Sequence, residues 1–199
     1  MADAAQDIPF SCPCGSLKGV LHGANRASGT HVVCYCDDCR AAEIYCRQPD
    51  PAPEPVALFQ TNPGNISFTE GKENLAVFSF GPRNLLRWQA SCCGALIANT
   101  LRNPKLPMAS IRTNLLATTD PIGPVRAEAF VPTPGKNTQH KGVIAIVSGT
   151  LRRMAVGRLS GTWKQTPFFD TEDATPVRPV TLVPKDVRAA LTPGSRTRR

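Results

Sequence analysis

The sequence predicts a mainly β domain from Phe10 to about Pro124, with a loose leader over 1–9 and a C-terminal extension over 125–199 that is part helical and part irregular. Three observations predict it. Short β-favouring runs alternate with turn chemistry through the middle of the chain. The composition changes after Pro124, where prolines and basic residues take over. A chain of 199 residues, 41% apolar and 19% charged, has enough apolar surface for one buried core and too little charge for a disordered polymer.

In chain order, "MADAAQDIPF" has no periodic apolar pattern, which predicts the leader. It also has neither a basic n-region nor an apolar h-region, so it does not read as a secretion signal. "VALFQTNPGN" is a strand and a turn, and "PDPAPEP" from Pro49 to Pro55 is a stiff loop that fits neither a helix nor an inner strand. Four runs follow: Ile66 to Thr69, Leu75 to Phe80, Leu85 to Ala90 and Ala95 to Ala98. The breaks between them, "EGKEN", "GPRN" and "SCCG", carry turn residues, and the whole reads as a β-meander. Trp88 and Phe78 belong to its core.

In the extension, "GVIAIVSGTLRRMAVGRL" places Val143, Val147, Leu151 and Met154 on one helical stripe with Arg152 and Arg153 off it. That spacing predicts an amphipathic helix packed on the sheet through the stripe. Gly149 and Gly157 weaken it by about 1 kcal/mol each relative to alanine. The proline-punctuated remainder from Thr175 reads as irregular, ending in the basic tail "SRTRR". No apolar run approaches the roughly 20 residues needed to cross a bilayer. The expectation is a soluble, cytoplasmic protein with no membrane partner. In that compartment thiols stay reduced, which directs the eight cysteines to metal binding or thiol chemistry and away from disulfides.

The formal charge is +8 and uneven: no acidic residue falls between Glu128 and Asp170, where Lys136, Lys141, Arg152, Arg153, Arg158 and Lys164 all lie. Such a field attracts nucleic acid or small anions. No recognition-helix or aromatic RNA-binding motif accompanies it, so the reading is a solvated basic face.

The cysteines carry the sharpest signal. They occur as "CPCG" (Cys12, Cys14), "CYCDDC" (Cys34, Cys36, Cys39), Cys46 alone, and "SCCG" (Cys92, Cys93). In an extended strand Cys34 and Cys36 point to one face with Cα atoms about 6.6 Å apart, a span closed readily by a metal with Zn–S bonds of about 2.3 Å. "DDC" supplies a turn that folds Cys39 back as a third ligand. Zinc is the first expectation; iron, or a redox pair of Cys36 and Cys39, is the alternative.

"CPCG", then "CYCDDCR", then a strand ending in "CCG" resembles the glutathione-dependent formaldehyde-activating enzyme family, whose relatives include centromere protein V, over roughly residues 10–111. The resemblance implies a β-tent of the Mss4-like type and two zinc sites. Cys34, Cys36 and Cys39 match the catalytic trio, which leaves one coordination position open. Cys12 and Cys14 match the first half of a structural site. Of its second half, Cys93 and Gly94 match, while Ala90 stands where the family has cysteine. That site is expected to close through Cys92, to recruit Cys46 or a histidine, or to be weak.

Three thiolates around a divalent zinc leave a net charge of minus one, which favours a bound nucleophilic thiolate over activated water. The implied function is a zinc-dependent carbon–sulfur lyase acting on a thiol adduct, such as glutathione addition to formaldehyde or its reverse. Arg40, and Arg26 or His31, are candidates to offset the charge or hold a glutathione carboxylate; His22 and His140 have no motif context. Two other functions fit the sequence, a non-catalytic zinc module for protein interaction, with Cys46 closing the trio, and a basic nucleic-acid-binding protein.

Overall fold

A computed structural model describes residues 4–133 and 137–193. The basic tail and Lys136 lie outside the described residues. The elements run β1 (Gln6–Ser11), β2 (Lys18–Ala24), β3 (Thr30–Cys34), α1 (Asp37–Tyr45), β4 (Val56–Thr61), β5 (Ile66–Glu70), β6 (Leu75–Ser79), β7 (Leu86–Ala90), β8 (Leu96–Thr100), β9 (Ala109–Arg112), β10 (Ala127–Val131), β11 (Gln139–Lys141), α2 (Val143–Leu159), β12 (Phe169–Asp170), β13 (Thr175–Pro176), β14 (Val180–Leu182) and α3 (Lys185–Leu191). Among the described residues the fold is mainly β: a nine-stranded sheet ordered β11-β10-β3-β4-β9-β8-β7-β6-β14, a three-stranded sheet ordered β1-β2-β5, and the small β12-β13 pair.

The expected meander is half right. β6 to β9 are consecutive antiparallel neighbours in the large sheet. β5 leaves that series and pairs with β2 in the small sheet. The leader is shorter than expected: β1 begins at Gln6, opposite Ala24, and buries Ile8 and Phe10 on one face. Pro9, which breaks the pattern in a sequence reading, sits between them on a sheet edge, where a missing N–H is tolerated.

The two sheets enclose the main core. Leu21, Ile8 and Phe10 from the small sheet meet Phe59, Val77, Leu86, Trp88, Ile97 and Ile111 from the large one. Alternation decides which residues enter it. On β7, Leu86, Trp88 and Ala90 face this core, while Arg87 and Gln89 face the opposite side of the sheet. Trp88 and Phe78 are both buried core residues, and Trp88 Nε1 donates to Thr100 Oγ1 at 2.9 Å.

The region after Pro124 is built into both edges of the large sheet. β10 adds in parallel to β3, and β14 adds in parallel to β6, a stretch expected to be irregular. Phe168 is fully buried against Trp88, ring centroids 5.0 Å apart. The helix α2 forms where expected but sits on a different face. Val143, Val147 and Leu151 are exposed, at 44%, 49% and 61%, while Ile146 packs on the sheet cluster and Gly157 is buried. A Cβ on Gly157 would lie 2.6 Å from Asn62 Nδ2. The glycines that weaken the helix thus let its backbone lie close to the sheet, and Thr150 Oγ1 fixes it by donating to Gln60 Oε1 at 3.2 Å.

Because Phe168 is part of the main core, Phe168→Ala is expected to lower unfolding stability by about 3–5 kcal/mol in urea titration. A loss below about 1 kcal/mol would show that the segment lies on the core loosely.

Candidate metal centres

The trio is assembled where β3 hands over to α1. Cys34 is the last residue of the strand, Cys36 is the N-cap of the helix, and Cys39 is in its first turn. This helix replaces the simple turn expected of "DDC". Its start is dictated locally: Cys36 Sγ accepts from the Cys39 N–H at 3.3 Å, and Asp37 and Asp38 complement the positive end of the helix. The three sulfurs lie within 4.8 Å of one another. A tetrahedral metal with bonds of about 2.3 Å places its sulfurs about 3.8 Å apart, so the spacing fits. Cys34 and Cys39 are buried and Cys36 is half-buried, giving one approach from solvent.

The surroundings are charged. α1 lies over the face of the sheet that carries the polar residues of the alternating strands, so Arg87, Asn99 and Arg112 are covered instead of solvated. Arg87 is 4% exposed; its guanidinium donates to Asn99 Oδ1 at 3.3 Å and lies 5.3 Å from the Phe80 ring centre. Hydrogen bonds from Cys34 and Cys36 hold the Cys39 thiol well below its ordinary value, and the Arg87 guanidinium adds to the effect. Cys34 is pushed up in turn, first by its contact with Cys36. Glu43, on the same helix, is paired with Arg112 at 2.9 Å, off the hydrogen-bond axis, so Glu43 Oε1 is left without a hydrogen bond. Burial raises the Glu43 carboxyl despite that partner. Two guanidiniums and one carboxylate leave this buried strip one unit positive. Three thiolates with a divalent ion are one unit negative, and the two sets balance.

The second group contains Cys12, Cys14, Cys92 and Cys93, also within 4.8 Å of one another. Cys14 Sγ is 3.4 Å from Cys12 Sγ and 3.3 Å from Cys92 Sγ. "CPCG" forms the loop between β1 and β2, where the Leu17 N–H donates to Cys12 Sγ at 3.3 Å. The Ser16 hydroxyl, then its backbone, lowers the Cys14 thiol to about 6. Adjacent Cys92 and Cys93 reach one centre because they lie in the tight β7–β8 turn, closed by Cys93 N–H and Gly94 N–H donating to Ala90 O at 3.3 and 2.7 Å. In such a helical turn successive side chains diverge by about 100°, against 180° in a strand. Gly94 makes the turn possible, with φ of +77° and a Cβ position 2.3 Å from Cys46 O. Ala90 is wholly buried in the sheet core, and Cys92 completes a group of four sulfurs able to hold a metal ion.

The other candidates are engaged elsewhere. Cys46 is in neither group: its thiol, pushed up to about 12 by burial, donates to Gln89 Oε1 at 2.7 Å. Arg40 makes a two-point contact with Asp50 at 2.8 and 2.6 Å. His31 Nδ1 is 2.7 Å from Gly123 O, His22 lies between Asp7 and Ser67, and His140 Nδ1 accepts from the Phe130 N–H. Arg26 lines a cleft at the other end of β3. Sequence reasoning missed Arg87, Glu43 and Arg112. The signal for Glu43 was present in "DDCRAAEIY", whose leading acidic pair and alanines mark a helix start.

The chain belongs to the family described as "Family of unknown function (DUF6151)", which matches residues 4–181. No curated protein matches it. A solved Rhodobacter sphaeroides protein from structural genomics is similar at 19% identity and a TM-score of 0.43, over 61% of this chain and 98% of that one. No helix among the described residues is long and apolar enough to cross a membrane.

Native mass spectrometry with metal analysis is expected to find two ions per chain, one lost in Cys12→Ser, the other in Cys34→Ser, and both kept in Cys46→Ser. A single ion, or loss of both together, would contradict two separate centres. Chelator competition distinguishes the arginines: Arg87→Gln should weaken the Cys34 site by roughly 10–100-fold, and Arg40→Gln should leave it unchanged.

Proposed function

We propose that the protein is a zinc-dependent enzyme acting on a thiol adduct, joining a small thiol such as glutathione to formaldehyde or cleaving the carbon–sulfur bond in reverse. The observation that carries this reading is the difference in sulfur count: four in one group and three in the other. Four thiolates complete a tetrahedral zinc and suit a structural site; three leave room for an exogenous ligand. Zinc fits both donor sets, because soft thiolates select it among the common divalent ions. The resemblance of the cysteine pattern to the glutathione-dependent formaldehyde-activating family, with its Mss4-like β-tent, supports the same assignment.

When bound by Cys34, Cys36 and Cys39, zinc would supply a thiolate that stays deprotonated and nucleophilic at neutral pH. The chain's own residues set the conditions. Arg87 holds a positive charge beside Cys39 and adds to the lowering of its thiol that the Cys34 and Cys36 hydrogen bonds begin. Cys36, half-buried at the helix N-terminus, is the edge that a substrate reaches from solvent. Cys46 is tied to Gln89 and does not close the trio, which argues against a purely structural site. In the net reaction a sulfur–carbon bond forms, the carbonyl π pair moves to oxygen, and the thiol proton ends on that oxygen. No oxidant or reductant is required.

Exchange NMR of formaldehyde with glutathione tests the reading. Addition of the protein should accelerate exchange beyond the uncatalysed rate, Cys46→Ser should retain the acceleration, and Cys34→Ser should abolish it. An unchanged rate, or acceleration that survives Cys34→Ser, would remove the enzymatic assignment.

A further inference from the structure

Strand β3 has the sulfur trio at its C-terminal end and a different site at its start. There, between α2, the Arg26–Thr30 segment and the entry to β10, lies a cleft of about 430 Å³ into which Arg26, Arg126, Arg152 and Arg153 converge. Its volume falls within the range of about 300–1,000 Å³ usual for small-molecule sites. No acidic side chain is among the described residues that line it.

Arg126, Arg152 and Arg153 are held but meet no carboxylate among the described residues. Arg153 Nη2 donates to Thr30 Oγ1 at 3.1 Å, Arg126 Nη1 to Arg26 O at 3.4 Å, and Arg152 Nη2 to Ala27 O at 3.5 Å. These acceptors are neutral, and two of the three bonds are long. Burial, and then the charges of Arg152 and Arg126, push the Arg153 guanidinium down to about 10. It remains protonated at neutral pH in surroundings that resist its charge. Gly149 keeps the space open, since a Cβ there would stand 3.0 Å from Arg153 Nη1 and 3.1 Å from Thr30 Oγ1. Arg126, Arg152 and Arg153, which converge and repel one another, are stabilised by an anion that several of them can grip, and their planar forks match phosphate oxygens.

We propose that this cleft binds a phosphate-bearing anion, either a free phosphorylated small molecule or a phosphate headgroup. Arg152 and Arg153 of the basic run between Glu128 and Asp170 are then part of a pocket wall as well as of a solvated face. The site is independent of the sulfur chemistry and needs no metal. A concave cleft of this size favours a small anion over a nucleic-acid backbone, which calls for an extended stripe of cations.

Isothermal titration with inorganic pyrophosphate is the test. The wild-type protein should bind, Arg126→Gln and Arg152→Gln should each weaken binding by about 10–100-fold, and Arg83→Gln, an exposed arginine elsewhere, should not. Arg152 is exposed, so its replacement leaves the core intact, and matching melting curves confirm that. Sedimentation with phosphatidylcholine vesicles, with and without phosphatidic acid, separates the sources. Phosphatidic-acid-dependent binding displaced by pyrophosphate identifies a headgroup; pyrophosphate binding without vesicle binding identifies a free anion. Absence of binding in both arms overturns the proposal. So does affinity that the two cleft variants do not change, or a DNA duplex held through Arg126 and Arg152 in preference to pyrophosphate.

Discussion

The burial of the Arg87 guanidinium on the sheet face that α1 covers is the constraint on which the rest of the candidate centre depends. A guanidinium removed from water costs several kcal/mol unless a counter-charge lies close by. Glu43 is paired with Arg112, and Arg87 acts on both the Glu43 carboxylate and the Cys39 sulfur. The sulfur cluster in turn holds α1 in place, since Cys36 caps the helix and Cys39 lies in its first turn. Glu43 and Cys46 follow on the same helix and reach Arg112 and Gln89 on the strands beneath. One helix thereby brings Cys39 and Glu43 against the two arginines of the strands, and the net charge of the strip balances that of a divalent ion with three thiolates.

The two sulfur groups divide their labour through topology. Cys12 and Cys14 come from the loop of the small sheet, and Cys92 and Cys93 from a turn of the large one. A metal held there would tie the two sheets together at the edge of the main core, joining residues 80 apart in sequence. The trio comes from one short segment, Cys34 to Cys39, and sits on the opposite face of the large sheet under α1. Local ligands close no long loop, so a metal held there would contribute little through chain entropy. The arginine cleft occupies the start of the same β3, where α2 forms one of its walls.

What could be read from the sequence follows the range of each signal. Alternation and turn residues located β6, β7 and β8 within a residue or two, because both are local. They did not tell which sheet β5 joins, since pairing is a long-range choice. Strand alternation puts Arg87 and Gln89 on the face opposite Trp88. What covers that face is a separate question, and the helix that answers it has a cysteine N-cap that capping preferences do not recognise. The stripe of α2 was read by hydrophobicity, whereas the helix packs by backbone approach through Gly149 and Gly157. Both sulfur groups were legible as clusters. Cys92 as the substitute for a ligand at Ala90 depended on a turn geometry that allows adjacent side chains to converge.

X-ray absorption at the zinc edge, on protein carrying Cys12→Ser so that the trio alone is loaded, addresses the central claim most directly. The account predicts three sulfur neighbours at about 2.3 Å and one lighter neighbour at about 2.0 Å. Four sulfurs around the ion, or protein that takes up no metal at Cys34, Cys36 and Cys39 under reducing conditions, would contradict it.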